Sequence, residues 1–160
     1  HFNVIHLSFS KKINDRTKYL LNSNNNSINP GLQASSLIKK INLNHDSEYI
    51  LGVPCNTFHS PKIFNIFQDN IKNTNKNINV INMIDATIHY IKANKYSKVG
   101  VLSTRGTRDT NLYNDILIKN NIKPITISDE EQEELDNIIY NPIFGLKSLS
   151  YASIEIVNKI

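Results

Sequence analysis

Pro54-Cys55-Asn56-Thr57-Phe58-His59 contains the one cysteine of this 160-residue chain. It follows an apolar run and precedes a helical stripe. A cysteine at a strand tip, near a helix N-terminus, meets N–H groups and a dipole that favour an anion. Such a setting favours the thiolate, the form in which Cys acts as nucleophile or base. Asn56 and Thr57 add short donors that could hold a carboxylate. The same residues also suit a buried, inert cysteine with Asn and Thr as helix caps, and spacing alone leaves both readings open. Ser103-Thr104-Arg105-Gly106-Thr107 has the same context. Thr104 and Thr107 could bind an anionic oxygen there, or the segment is only a capping turn. In Asn14-Asp15-Arg16-Thr17, Arg16 is able to pair bidentately with a carboxylate, or to lie at the surface beside Asp15. No Walker loop and no Gly-x-Gly-x-x-Gly occurs. The five His show no metal-ligand spacing, and His59 reads as a helix-start residue rather than a catalytic base. One cysteine excludes an intrachain disulfide and a Cys-rich zinc site, so no metal is expected.

The elements that must position these segments follow from hydrophobic periodicity. Val4 to Leu7 is a short apolar run that reads as a first strand, and Leu32, Leu37, Ile38 and Ile41 suit one helical face. Tyr49 to Val53, ended by Pro54, reads as a buried strand. Ile63, Phe64, Phe67 and Ile71 form a helical stripe after Pro61, a residue favoured in the first helical turn. Asn79 to Asn82 is a strand, and Ile88, Ile91 and Ala93 mark a helix. The scheme then repeats. Lys98 to Leu102 is a strand, Leu112 to Leu117 a helical stripe, and Pro124 to Ile127 a strand. A helix begins at Asp129-Glu130-Glu131, whose charges suit its positive end. Leu149, Ile156, Val157 and Ile160 suggest a last helix, and Asn22 to Asn29 is a polar loop. Strands alternating with helices predict an α/β fold with parallel sheets. A boundary near Ala93 to Ser97 divides the chain into 1–95 and 96–160. Ligands of parallel sheets sit beyond the carboxyl ends of the strands, which selects Ser8 to Thr17, Pro54 to Pro61 and Ser103 to Thr110, the segments that hold the motifs above.

Composition narrows the class further. With 39% hydrophobic and 20% charged residues the chain can bury a core. No run approaches a membrane span of roughly 18 apolar residues, so a soluble, cytoplasmic protein without a membrane partner is expected. The net charge of +4 raises a nucleic-acid partner, but the basic residues are scattered and no aromatics interleave with them. A solvated basic surface and no nucleic-acid partner is the expectation.

Taken together and in order, these segments resemble the cofactor-independent aspartate/glutamate racemase family. The resemblance runs over nearly the whole chain, from His1-Phe2-Asn3-Val4-Ile5 to Ile139-Tyr140. Its most specific element is Pro-Cys-Asn-Thr-x-His at 54–59, supported by Thr-x-Gly-Thr at 104–107. The resemblance implies two similar parallel-sheet α/β domains with a substrate cleft between them, often in a homodimer. It implies a small amino-acid substrate, aspartate or glutamate, flanked by one cysteine from each domain. One thiolate removes the α-proton and the other thiol returns a proton to the opposite face. Cys55 matches the first of these cysteines. Asn56 and Thr57 match ligands of the substrate carboxylate, Arg16 a side-chain carboxylate ligand of aspartate-specific members, and Thr104 and Thr107 the equivalent turn of the second domain.

The departures from the family pattern also carry information. A Gly-rich turn upstream of His1 and a Gly-Cys-Thr-Glu motif beyond Ile160 are expected of a full member and are not in this sequence. Phe144 stands where some aspartate racemases carry a lysine, and Ser8 where many members have Asn. The chain is therefore expected to be the middle of a family member, with both domains incomplete and activity absent without a second cysteine. Two alternatives are a non-catalytic remnant that keeps only the fold, and a one-cysteine decarboxylase-like relative acting on malonate-type acids.

Overall fold

The computed structural model describes residues 4–9, 12–21, 26–44 and 46–147. The expected last helix after Leu149 lies outside the described residues. Contacts divide the chain into two units, one up to Tyr90 and one from Ile91.

In the first unit the order is α1 (Arg16–Leu21), α2 (Pro30–Lys39), β1 (Tyr49–Gly52), a 3-10 turn (Asn56–His59), α3 (Pro61–Lys72) and β2 (Ile78–Ile81). Helix α4 (Met83–Ala93) follows and runs past Tyr90. Strands β1 and β2 are parallel, with Tyr49 opposite Ile78 and Gly52 opposite Ile81. Helix α3 is the centre of the core. Pro61 starts it, and Ile63, Phe64, Phe67 and Ile71 are buried along one stripe. Burying each such side chain stabilises the fold by about 1.5–3 kcal/mol. Leu51, Val53, Ile78 and Val80 pack on the same cluster from the sheet.

Helix α2 lies against α3, but its buried face differs from expectation. Gly31, Ala34, Ser35 and Ile38 are buried, while Leu32 is exposed. The reason is the close approach of the two helices. A Cβ at Gly31 would fall against the carbonyl oxygen of Ile63, and only small side chains fit the crossing. Asn29 fixes the start of α2, accepting from the Gly31 N–H at 2.7 Å, while its amide nitrogen donates to Tyr19 and to the Lys62 carbonyl, both at 2.9 Å. At the other end Lys76 donates to the carbonyls of Ile38, Lys39 and Ile41, a cation on the negative end of α2.

Two strand expectations are corrected. Val4 to Leu7 forms no ladder, although Leu7 and Phe9 pack against the core. A strand needs a partner for its N–H and C=O groups, and among the described residues β1 pairs only with β2. The strand β1 is also not buried on both faces. Leu51 faces the helices, but Ile50 is 72% exposed, because no described element covers the other side of the sheet.

The second unit carries β3 (Lys98–Val101), α5 (Arg105–Asp109), α6 (Leu112–Lys119), β4 (Lys123–Thr126) and α7 (Asp129–Tyr140). Strands β3 and β4 are parallel, with Lys98 opposite Lys123. The acidic start of α7 is completed by a capping box, in which Ser128 accepts from the Glu131 N–H and Glu131 accepts from the Ser128 N–H. The expected α/β class with short parallel strands is therefore present, in two small sheets. No helix among the described residues is long and apolar enough to cross a membrane.

Candidate active site

The carboxyl end of β1 leads directly to the cysteine. Pro54 centres a three-residue turn in which the Cys55 N–H donates to the Val53 carbonyl at 2.8 Å. Its fixed φ suits that turn. Cys55 is extended (φ −148°, ψ 107°) and its carbonyl accepts from the Phe58 N–H at 3.1 Å, which starts the 3-10 turn. The helix beyond Cys55 is thus one turn of four residues, and the long helix begins only at Pro61. The dipole effect expected at Cys55 is that of a single turn, because Ser60 breaks the backbone between the two helices (φ −56°, ψ 135°).

Cys55 is half-buried and lines a cavity of about 380 Å³. The walls are mostly apolar, with Leu51, Val53, Phe58 and Phe67 among them. Arg16 lines the same cavity from the first residue of α1. Local hydrogen bonds set where α1 begins. The Asn14 N–H donates to Gln33 Oε1 at 2.8 Å, and Asp15 Oδ1 accepts from the Lys18 N–H at 2.8 Å as a cap. Asp15 is therefore occupied with the helix end, and among the described residues Arg16 makes no ion pair. His6 and Ser8 supply further polar groups to the cavity. His6 carries no local signal in the sequence, since its role depends on an irregular segment folding over β1.

Asn56 and Thr57 lie in the turn after Cys55, the first exposed and the second half-buried, and neither side chain is among the cavity walls. The Thr57 carbonyl accepts from the Ser60 N–H at 3.3 Å. His59 ends the turn and is buried. Its Nε2 stands 2.8 Å from the Val53 carbonyl oxygen. Burial pushes the imidazole below its ordinary value, with the Val53 bond, the Asp85 carboxylate and the Asn82 side chain acting in the opposite direction.

In the second unit, Thr104 precedes α5 and Thr107 lies buried within it. Their hydroxyl oxygens are 3.4 Å apart. Helix α7 braces this segment. Gln132, 1% exposed, donates from Nε2 to the Ser103 carbonyl at 3.0 Å and to Asp136 Oδ1 at 3.1 Å. Asp136 in turn accepts from the Arg105 N–H at 3.2 Å and from Arg105 Nε at 2.9 Å. Sequence reasoning missed Gln132 and Asp136, which sit four apart on one face of α7 and reveal themselves only through that i, i+4 spacing. Arg108 is paired with Asp129 at 2.8 Å.

No protein-family model matches the chain. Among solved structures it is similar to a Yersinia pestis protein described as a "putative Asp/Glu Racemase". The two share 26% sequence identity and a TM-score of 0.58, over 81% of this chain and 53% of the other. The chain spans about half the length of that structure, and what it shares with it is the Asp/Glu racemase-like fold.

Proposed function

We propose that this chain carries part of a cofactor-independent amino-acid racemase site, with Cys55 as an acid–base at the α-carbon of aspartate or glutamate. The observation that carries this reading is that Cys55 and Arg16 line one cavity. A volume of about 380 Å³ falls within the roughly 300–1,000 Å³ of small-molecule sites. A guanidinium without an ion pair among the described residues suits the side-chain carboxylate of an acidic amino acid. A thiolate on the same surface takes the α-proton, and the electron pair left on carbon delocalises into the α-carboxylate. Asn56 and Thr57, in the turn that follows Cys55, are the proposed donors to that carboxylate, and Thr104 and Thr107 form the corresponding turn of the second unit. Likeness of fold to the Yersinia pestis protein supports the reading.

A single fixed base reaches one face of the α-carbon. Racemisation needs a second acid on the other face, and this sequence holds no second cysteine. The 160-residue chain is therefore proposed to exchange the α-proton of one enantiomer with solvent and to give no net inversion. The test is deuterium wash-in at the α-carbon of L- and D-aspartate and glutamate, followed by proton NMR. Exchange confined to one enantiomer and abolished in Cys55→Ala is the expected result. Exchange that survives in Cys55→Ala would overturn the assignment.

A further inference from the structure

His59 sits four residues after Cys55, yet it bonds back to the residue two before it. The Val53 carbonyl oxygen receives both the Cys55 N–H and His59 Nε2, each at 2.8 Å. A carbonyl oxygen only accepts, so Nε2 carries the hydrogen and Nδ1 is left as a bare acceptor. That Nδ1 is buried, and no group among the described residues is in hydrogen-bond geometry with it, although the Asn82 side chain and the Asp85 carboxylate act on the ring. An apolar side chain would fill this place without stranding a polar atom. Stability alone therefore does not account for an imidazole here, and the Nε2–H bond is what distinguishes it from Leu or Phe.

The ring is also held from its sides. Phe64 lies against it at 4.6 Å between centroids and 34° between planes, and Phe58 meets it edge-on at 6.4 Å and 79°. Phe64 belongs to α3 and Phe58 to the 3-10 turn, so the imidazole joins the end of β1 to the two elements that follow it. Cys55 is the residue enclosed by this closure.

We infer that His59 is a positioning residue for Cys55, its neutral Nε2–H tautomer locking the Val53–Cys55 turn so that the thiol is held at the cavity wall. The inference rests on the assignment of Cys55 as the reacting group. It involves no proton transfer by His59, which is not among the cavity walls. Replacing the donor frees one lone pair of Val53, loosens the turn, and lets the half-buried thiol open to solvent.

One cysteine in the chain makes the test direct, because every thiol signal is Cys55. The full chain, His59→Leu and His59→Gln are alkylated with iodoacetamide at fixed pH while far-UV circular dichroism monitors folding. Gln keeps an N–H donor near the place of Nε2, and Leu does not. Loss of one buried hydrogen bond predicts alkylation about three- to tenfold faster in the Leu variant. The Gln variant is expected to return towards the wild-type rate. A folded Leu variant with the wild-type rate, or a Gln variant as fast as Leu, would overturn the inference. Long-range proton–nitrogen NMR of the wild-type imidazole decides the matter if the Leu variant does not fold. The Nε2–H tautomer is expected, and an Nδ1–H tautomer would sink the proposal. None of these readouts needs turnover, so failure of the racemase reading appears separately, as deuterium exchange independent of Cys55.

Discussion

Gln132 Nε2 lies 3.0 Å from the Ser103 carbonyl oxygen, and this bond ties helix α7 to the end of strand β3. Because Gln132 also donates to Asp136, and Asp136 holds Arg105, one buried amide organises the whole entry to α5. The exposed Arg105–Asp136 pair contributes little by itself, since exposed ion pairs contribute only about 0–1 kcal/mol. Gln132→Leu is expected to cost about 1–3 kcal/mol, because it strands the Ser103 carbonyl. Asp136→Asn should cost less. Thermal melts give the ranking, and faster amide hydrogen exchange at Arg105 in both variants gives the location. Equal stability of Gln132→Leu and the wild type would refute the account.

The contact between α2 and α3 yields a steric prediction. A Cβ on Gly31 would meet the Ile63 carbonyl well inside van der Waals contact and would stand 3.1 Å from the Phe67 backbone nitrogen. Both obstacles are main-chain atoms of a helix, so neither can rotate away. Gly31→Ala is therefore expected to destabilise by about 1–3 kcal/mol, despite the better helix propensity of Ala. Gly100→Ala is the control, as nothing lies within 4 Å of its Cβ position. If chemical denaturation shows Gly31→Ala to be neutral or stabilising, the helices are not this close.

The same crossing explains what was and was not legible beforehand. The stripe of Ile63, Phe64, Phe67 and Ile71 after Pro61 announces α3 because its period and its start signal are local. Leu32 misleads, because the closeness of two helices is decided by Gly31, Ala34 and Ser35, which carry little hydrophobic signal. Val4 to Leu7 has a strand-like composition, but strand pairing is a property of the partner. Cys55 stands out through its place between strand and turn. Its meeting with Arg16 depends on the 38 intervening residues folding, and spacing alone could not weigh it against a surface Arg. The His59–Val53 bond was hidden for another reason: a His at the start of a helix looks the same whether it faces solvent or the strand behind it.

The buried imidazole should also set a pH dependence. Burial lowers the His59 pKa from 6.5, against the Val53 bond, Asp85 and Asn82. The folded chain thus binds its proton less readily than the unfolded chain, which takes it up near pH 6.5. Stability from the neutral ring is fully present above pH 6.5 and declines as pH falls from there towards the lower folded value. Melting temperature should therefore drop between pH 7 and pH 5.5. In His59→Gln that drop should shrink, and a drop of the same size in the variant would assign it to other groups.

The uncovered sheet faces lead to the last prediction. Ile50 (72% exposed) and Ile81 (44%) stand on one such face, and Leu102 (54%) and Ile125 (52%) lie on or just beyond the strands of the other sheet. Each sheet has two strands, so each also presents unpaired edges among the described residues. Apolar side chains beside free edges favour association between copies. The chain is expected to scatter light increasingly with concentration. Ile50→Thr and Ile125→Thr keep a β-branched residue in each strand and remove apolar surface. They should lower scattering while changing stability by no more than about 0.5 kcal/mol, as is usual for exposed positions. The double variant is expected to exceed either single one, since the two faces act on different strands. Scattering that is unchanged in the double variant would mean that association, if present, uses another surface, and would count against these faces as its cause.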